Sequence, residues 1–264
     1  MMKSRKKRIY SRPSFLEEKK LWKNGYKYII GIDEVGRGAF AGPVVVGAVI
    51  FDKRDPCTKI ILSEINDSKL LNPKNREKLD KEIRTCAQFY SIAQVGVSII
   101  NKAGIGKATK IAFRKAITTT VQQIVKENYS LKNCHAELAS ASPEILKPIR
   151  QAQGPEYTEG LVQDDKKRKV FVLVDGFHIK YIRGIGLKNQ KAIIKGDRKS
   201  ISIAAASIIA KVYRDKLMKD LAKKYREYHF EDNKGYGTKE HQIAIKKYGL
   251  SRIHRKSFNL KKFQ

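Results

Sequence analysis

The chain has 264 residues, 41% of them hydrophobic, enough to bury a sizeable core in one large or two small domains. Lys and Arg total 56 against 26 Asp and Glu, a net charge of +30 that draws in polyanions, nucleic acid first among them. No apolar run approaches the about 18 residues of a membrane span, and no basic amphipathic helix with bulky anchors argues for a membrane surface.

Residues 1–27 are rich in Lys and Arg without an apolar stretch, and read as a basic N-terminal arm rather than a secretory signal. The first apolar segment, YIIGIDEV at 28–35, predicts a buried strand. A Gly-rich turn follows (Gly36, Gly38, Gly42), then a second strand over VVVGAVIF. Residues 72–87 predict a helix with Pro73 in its first turn. The segment FYSIAQVGVSII, 89–100, predicts a strand, and helical spacing of Ile111, Ala112, Ala116, Val121 and Ile124 predicts a helix over 106–126. VFVLVDG predicts another strand ending at Asp175, and KAIIKGD a short one ending at Asp197. Ile201, Ala204, Ala205, Ile208, Ile209 and Val212 recur at helical spacing over 200–225, and the many Ala residues suit close packing on a sheet. A last helix is expected near 239–247. The mixture predicts an α/β fold with a central mixed sheet.

The stretch from about Cys134 to Asp165 shifts to Ala, Ser, Pro, Gln and Glu, and is far longer than an ordinary connection. It reads as a surface insertion and resembles translated palindromic repeat elements of some intracellular bacteria. Cys57, Cys86 and Cys134 are odd in number, widely spaced and without zinc-ligand spacing, so they read as free thiols in a reducing cytoplasm.

Acidic residues are scarce, so their positions carry weight. Asp33, Glu34, Asp175 and Asp197 all stand at predicted strand ends. One such Asp would be explained as a helix cap or an ion pair; four favour a shared site for hard divalent cations, which prefer oxygen ligands. Two such ions about 3.5–4 Å apart can activate water and stabilise the leaving oxygen of a phosphodiester. Asp33 and Glu34 are neighbours, and strand neighbours face opposite sides, so a joint site requires the strand to end or twist there. Gly36, Arg37 and Gly38 suit phosphate recognition through exposed N–H groups and a guanidinium, although an ordinary β-turn explains them equally well. Lys69 in NDSKLL follows a probable strand, and by itself reads as a surface lysine. Tyr236, between two glycines, is an ordinary loop tyrosine or a ring exposed for stacking.

These motifs resemble the ribonuclease HII family. The matching segments are GIDEVGRGAFAGPVVVGAVI (31–50), NDSKLL (66–71), VLVDG (172–176), KGDRKSISIAAASIIAKVYRD (195–215) and GYGTKEHQIAIKKYGLSRIHRKSF (235–258). They stand in family order over about 28–131 and 169–258. The resemblance implies a ribonuclease H-like α/β fold, a five-stranded mixed sheet flanked by helices with a C-terminal helical extension, over 28–258, followed by a tail at 259–264. It implies a metal-dependent endonuclease, using Mn²⁺ or Mg²⁺, that cuts the RNA strand of RNA–DNA hybrids and 5′ to single ribonucleotides in duplex DNA, leaving 5′-phosphate and 3′-OH. Asp33, Glu34, Asp175 and Asp197 then hold the metal and are catalytic. Gly36, Arg37 and Gly38 read the 2′-OH and phosphate at the junction, which is how a protein tells RNA from DNA. Lys69 joins the substrate contacts, and Tyr236 stacks on the sugar beyond the junction. A cytoplasmic monomer is expected. Ala39-Phe40 departs from the family's more usual Pro-Leu, a change expected to alter loop packing more than chemistry. The related ribonuclease HIII carries a further N-terminal domain, for which 27 residues are too few. A basic binding protein without catalysis is the rival from another class; strand-end acids beside phosphates argue against it.

Overall fold

The computed structural model describes residues 12–55, 57, 65, 72–139, 170–182, 184–260 and 263; the side chains of 128–139 are outside that description. Five strands form one sheet: β1 (Tyr28–Val35), β2 (Val44–Ile50), β3 (Phe89–Val95), β4 (Val170–Asp175) and β5 (Gln190–Ile193), in the spatial order β3-β2-β1-β4-β5. β1 and β2 are antiparallel, as are β2 and β3; β1–β4 and β4–β5 are parallel. The helices are α1 (Leu16–Lys23), α2 (Pro73–Cys86), α3 (Val97–Ala103), α4 (Ile105–Ala139), α5 (Ile201–Lys224), α6 (Phe230–Asn233) and α7 (Lys239–Tyr248). The expected ribonuclease H-like α/β architecture is present.

Strand alternation separates two cores. Ile30, Ile32, Val172 and Val174 face α4, whose Ala112, Phe113, Ala116 and Ile117 fill that layer. The opposite face meets α5. There the approach is backbone to backbone. A Cβ added at Gly31 of β1 would stand 2.2 Å from the Ser202 carbonyl carbon, and one at Gly47 of β2 2.3 Å from the Ala206 oxygen. Those two glycines and the small residues of α5 let the helix lie on the strands. Residues 201–210 are buried on every side, because α1 and α2 cover what the sheet leaves open.

Several expectations require correction. Only the first half of 89–100 is a strand: β3 ends before Gly96, and α3 begins at Val97. Gly96 has no side chain to hold the pleat, and the following residues bury only Ile100. The central helix runs on from Lys126 to Ala139, so the first residues of the expected insertion are helical; residues 140–165 lie outside the description. Asp197 does not end a strand. β5 stops at Ile193, Lys195 takes a left-handed turn at φ 56°, and Asp197 sits in a 3-10 turn that leads into α5. Cys57 and Cys86 are paired in a disulfide, with Cα atoms 5.6 Å apart. Two of the three thiols are therefore not free. They are 29 residues apart and carry no spacing signal; Cys57 follows β2 and Cys86 ends α2, and both pack into one cluster beneath α5.

The basic arm is structured from residue 12 onward. Ser14 and Ser200 form a backbone bridge, and Phe15 packs at a tilt against Trp22 and edge-on against Phe51. Glu18 of α1 is fully buried and caps the N-terminus of α5: its Oε1 accepts from the Ser200 hydroxyl at 2.6 Å and from Ser202 N–H at 3.0 Å. Burial pushes the Glu18 carboxyl up, while the hydrogen bond from Ser200 opposes. A carboxylate at a helix N-terminus also meets the positive end of the helix dipole. Glu18→Ala is expected to lower stability by about 2–3 kcal/mol in urea unfolding, the usual worth of hydrogen bonds to a charged group. Glu18→Gln, which keeps an acceptor oxygen, should retain a large part; equal losses for both would show that the hydrogen bonds to Oε1 are not what stabilises the cap.

Candidate active site

β1 carries Asp33 and Glu34 near its C-terminal end, and β4, its parallel neighbour, ends at Asp175. Parallel pairing brings both strand ends to the same edge of the sheet. The turn before α5 adds Asp197, which is buried. β1 continues to Val35, so Asp33 and Glu34 do face opposite sides. Asp33 shares the α5 side with Asp175 and takes a hydrogen bond from Ser207 of α5. Its cross-strand partner is Gly47, so no side chain crowds it from β2. Glu34 lies across the strand, and Asp175 is the neighbour whose charge both residues feel.

The electrostatics follow from burial and crowding. Asp33 is 6% exposed. Burial raises its carboxyl well above the usual range, and the charges of Asp175, Glu34 and Asp197 raise it further. Glu34 is raised to about 7, first by burial, with Arg37 opposing and Asp175 adding to the rise. Arg37 Nη1 stands 3.7 Å from Glu34 Oε1 and is itself half exposed. Asp175 Oδ1 accepts from Gly196 N–H at 2.7 Å, which ties β4 to the turn carrying Asp197. Gly196 lies close to α5: a Cβ there would meet Ile203 Cδ1 at 2.6 Å and Asp175 Oδ1 at 3.3 Å.

Four carboxylates without Cys or His are the donor set of a hard divalent cation. Their crowding stores repulsion that a bound cation relieves, so the residues fit such an ion. Among the described residues, the trio whose donor atoms all lie within 4.8 Å of one another is elsewhere: His229, Glu231 and Asp232, exposed at α6. The donor atoms of Asp33, Glu34, Asp175 and Asp197 do not form a trio within that distance.

Beside the carboxylates, two glycine-rich turns are locked together. Phe40 and Ala41 N–H groups donate to the Gly235 carbonyl at 2.7 and 3.1 Å, and Arg255 N–H to the Phe40 carbonyl at 2.8 Å. Two fully buried arginines complete the lock. Arg214 of α5 donates to the carbonyls of Pro43 (3.1 Å), Lys234 (2.9 Å) and Ala41 (3.2 Å). Arg255 donates to those of Gly42 (2.9 Å) and Arg37 (2.9 Å). Burial, then the charge of Arg214, pulls Arg255 down to about 9, so it stays cationic at neutral pH. Gly36, at φ 86°, admits no side chain, because a Cβ would lie 2.1 Å from Arg214 Nε. Gly38 has nothing within 4 Å, and Arg37 beside it is exposed.

Tyr236 is half-buried, with the Arg214 guanidinium 5.3 Å and the Lys211 Nζ 5.9 Å from its ring centre. Its glycine neighbours serve close packing. A Cβ at Gly235 would meet the Ala41 carbonyl at 2.6 Å, and one at Gly237 the Phe40 ring at 2.2 Å. Phe40 thus fills the space above Gly237. The structure therefore brings together Asp33, Glu34, Asp175 and Asp197, with Arg37 against Glu34 and Tyr236 tied to the same turns through Arg214. Lys69 lies outside the described residues. Arg214, Arg255 and Ser207 were missed. For Ser207 and Arg214 the available signal is a polar residue inside an apolar helical pattern (Ser207 between Ala206 and Ile208); Arg255 lies outside the helices and had no such signal.

A family profile described as Ribonuclease HII matches residues 30–261. The Ribonuclease HII of Caldicellulosiruptor bescii is 41% identical over 91% of each chain. The chain belongs to the ribonuclease HII family. It is thereby a metal-dependent endoribonuclease, and no described helix is long and apolar enough to cross a membrane. Among solved structures, the fold matches a chain of the PCNA:RNase HII complex from Archaeoglobus fulgidus, at a TM-score of 0.58 and 22% identity, covering 88% of this chain and 95% of that one. It also matches Bst-RNase HIII in complex with Mn²⁺, at 0.59 and 18% identity over 96% of this chain and 72% of that one.

Beneath the second turn, His241 and His254 are fully buried with Nε2 atoms 3.0 Å apart. Burial, then the charge of His241, lowers His254 to about 4. The unfolded chain takes up that proton near pH 6.5, so this residue's stabilisation is complete above about 6.5 and is lost as pH falls toward 4. Glu34 acts oppositely over the same window. The His contribution is therefore read as a difference: between pH 7 and 5, the parent should lose more urea-unfolding stability than His254→Asn, and parallel profiles would sink the assignment.

Proposed function

We propose that this ribonuclease HII cuts the RNA strand of RNA–DNA hybrids, and the 5′ side of single ribonucleotides embedded in duplex DNA, leaving 5′-phosphate and 3′-OH. The observation that carries the reading is the cluster of Asp33, Glu34, Asp175 and Asp197 in a protein of net charge +30. A basic surface holds the polyanion while an acidic edge holds cations. Asp33, Glu34, Asp175 and Asp197 would hold Mn²⁺ or Mg²⁺, which supplies activation of the attacking water and stabilisation of the leaving oxygen.

The chain's own residues do the recognition. The turn at Gly36-Arg37-Gly38 offers N–H groups and a guanidinium to the junction phosphate and 2′-OH, because Arg214 and Arg255 bind the carbonyls of the neighbouring backbone. The open space at Gly38 leaves room for a sugar–phosphate to approach the backbone. Tyr236 stacks on the sugar beyond the junction, oriented by Arg214, and Lys69 contributes a phosphate contact. We place the enzyme in the cytoplasm as a monomer, with 28–258 as its catalytic domain.

The test is a labelled DNA duplex with one central ribonucleotide, incubated with Mn²⁺ or Mg²⁺, beside all-DNA and EDTA controls. Metal-dependent cleavage at the 5′ side of the ribonucleotide is expected. Asp33→Asn and Asp175→Asn should each reduce turnover by at least about 100-fold, the scale at which removing one group that stabilises the transition state is felt, while hybrid binding is retained; near-normal turnover would refute the assignment. Tyr236→Ala should weaken discrimination between embedded-ribonucleotide and all-DNA duplexes more than it weakens binding to DNA. Equal losses on both would remove Tyr236 from junction recognition.

A further inference from the structure

The loop joining β4 to β5 carries Tyr181, which is 86% exposed and sits in the left-handed region at φ 61°. A bulky residue is rarely placed so. Ile179, Ile182 and Ile185 of the same loop are buried against α4, and Ile182 pairs with Ile185 in a backbone bridge. Arg114 of α4 donates its Nε hydrogen to the Lys180 carbonyl at 3.0 Å and holds its guanidinium 5.7 Å from the Tyr181 ring centre. The three isoleucines anchor the loop, and the backbone is turned so that the aromatic ring projects.

This ring stands at the end of a cationic ridge. Lys107, Lys110 and Arg114 recur at i, i+3 and i+7, one face of α4, rising along about 10 Å. Lys107 and Lys110 are exposed, and none of the three forms an ion pair among the described residues. Neither 97–126 nor 176–189 contains an Asp or Glu, so these segments of the helix and the loop carry no acidic side chain of their own. The same loop meets the candidate active site at Phe177, whose ring centre lies 5.8 Å from the Arg37 guanidinium and 5.3 Å, edge-on, from the buried Phe113 of α4. Asn101 of α3 accepts from Ser257 N–H at 3.4 Å, joining the start of this helical layer to the segment that carries Arg255.

We propose that Lys107, Lys110 and Arg114, with Tyr181 at their end, form a second nucleic-acid contact that holds the duplex backbone outside the cleavage site. The inference rests on the nucleic-acid reading above. A row of cations on a rigid helix matches the regular charge of a duplex, about one per 1.7 Å of its axis. The ring, already paired with a guanidinium, can lie against a sugar. Contacts of this kind position the duplex without reading its sequence.

The test compares the parent with Tyr181→Ala and with Lys107→Gln/Lys110→Gln, all changes at exposed side chains. Binding to an RNA–DNA hybrid is followed by fluorescence anisotropy in EDTA across a salt series, and cleavage separately with Mn²⁺. For the lysine variant we expect the slope of log affinity against log salt to fall by about 1–2, near 0.9 per lost phosphate contact. KM should rise by roughly 3–10-fold with kcat within about twofold, the pattern of lost uniform binding. Tyr181→Ala should raise KM without changing the salt slope. Unchanged slope and KM in both variants would overturn the proposal, as would a loss confined to kcat. A parent that binds the hybrid but cuts no ribonucleotide-containing substrate would refute the proposed function alone, and the salt slopes would still decide the second contact.

Discussion

The architecture depends on how closely α5 lies on the sheet. At Gly31 and Gly47 the separation leaves no room for even one carbon, and the facing helix residues are Ser202 and Ala206. Larger side chains on either surface would lift the helix by ångströms. The consequence is felt at one end of the sheet. α5 places Ser207 against Asp33, its N-terminal turn places Asp197 beside the strand ends, and Gly196 bonds Asp175. Glu18 of α1 fastens that same helix end from outside. A cluster of mutually repelling carboxylates is thus assembled from three elements whose relative positions leave little freedom to spread.

A second device stands beside it. Arg214 and Arg255 are buried without a carboxylate between them and donate to backbone carbonyls. These bonds fix the backbone of both turns, where the Phe40, Ala41 and Gly42 N–H groups are also used within the fold. A buried charge left partly unpaired is expensive, and Arg255 Nη2 lacks a partner among the described residues. The stored cost is consistent with a positioning role: the two cations draw the carbonyls of both glycine-rich turns inward and hold the turns together.

Legibility in the sequence varied with the range of the interaction. Four carboxylates among few acids, at the ends of β-branched runs, were visible because strand pattern and charge are local properties. The helix over 201–224 was also visible, but its burial on every side was not, since α1 and α2 cover it from far along the chain. Residues 89–100 read as one strand because Val97, Ile99 and Ile100 are β-branched; tertiary packing made the second half a helix. Cys57 and Cys86 gave no signal because their proximity is created by the ends of β2 and α2. The glycines around Tyr236 suggested an exposed ring, whereas the structure uses them to admit Ala41 and Phe40.

Composition and motif order by themselves determined the α/β class, the polyanion partner and the carboxylates to inspect, because residue type, periodicity and charge are written along the chain. Only the tertiary structure decided which of those groups meet. Parallel pairing of β1 with β4 put Asp33 and Asp175 at one edge, a left-handed turn at Lys195 swung Asp197 in from outside the sheet, and two buried arginines drew together turns nearly 200 residues apart. Those outcomes depend on long-range packing, in which a glycine matters for what occupies the space its side chain would have filled.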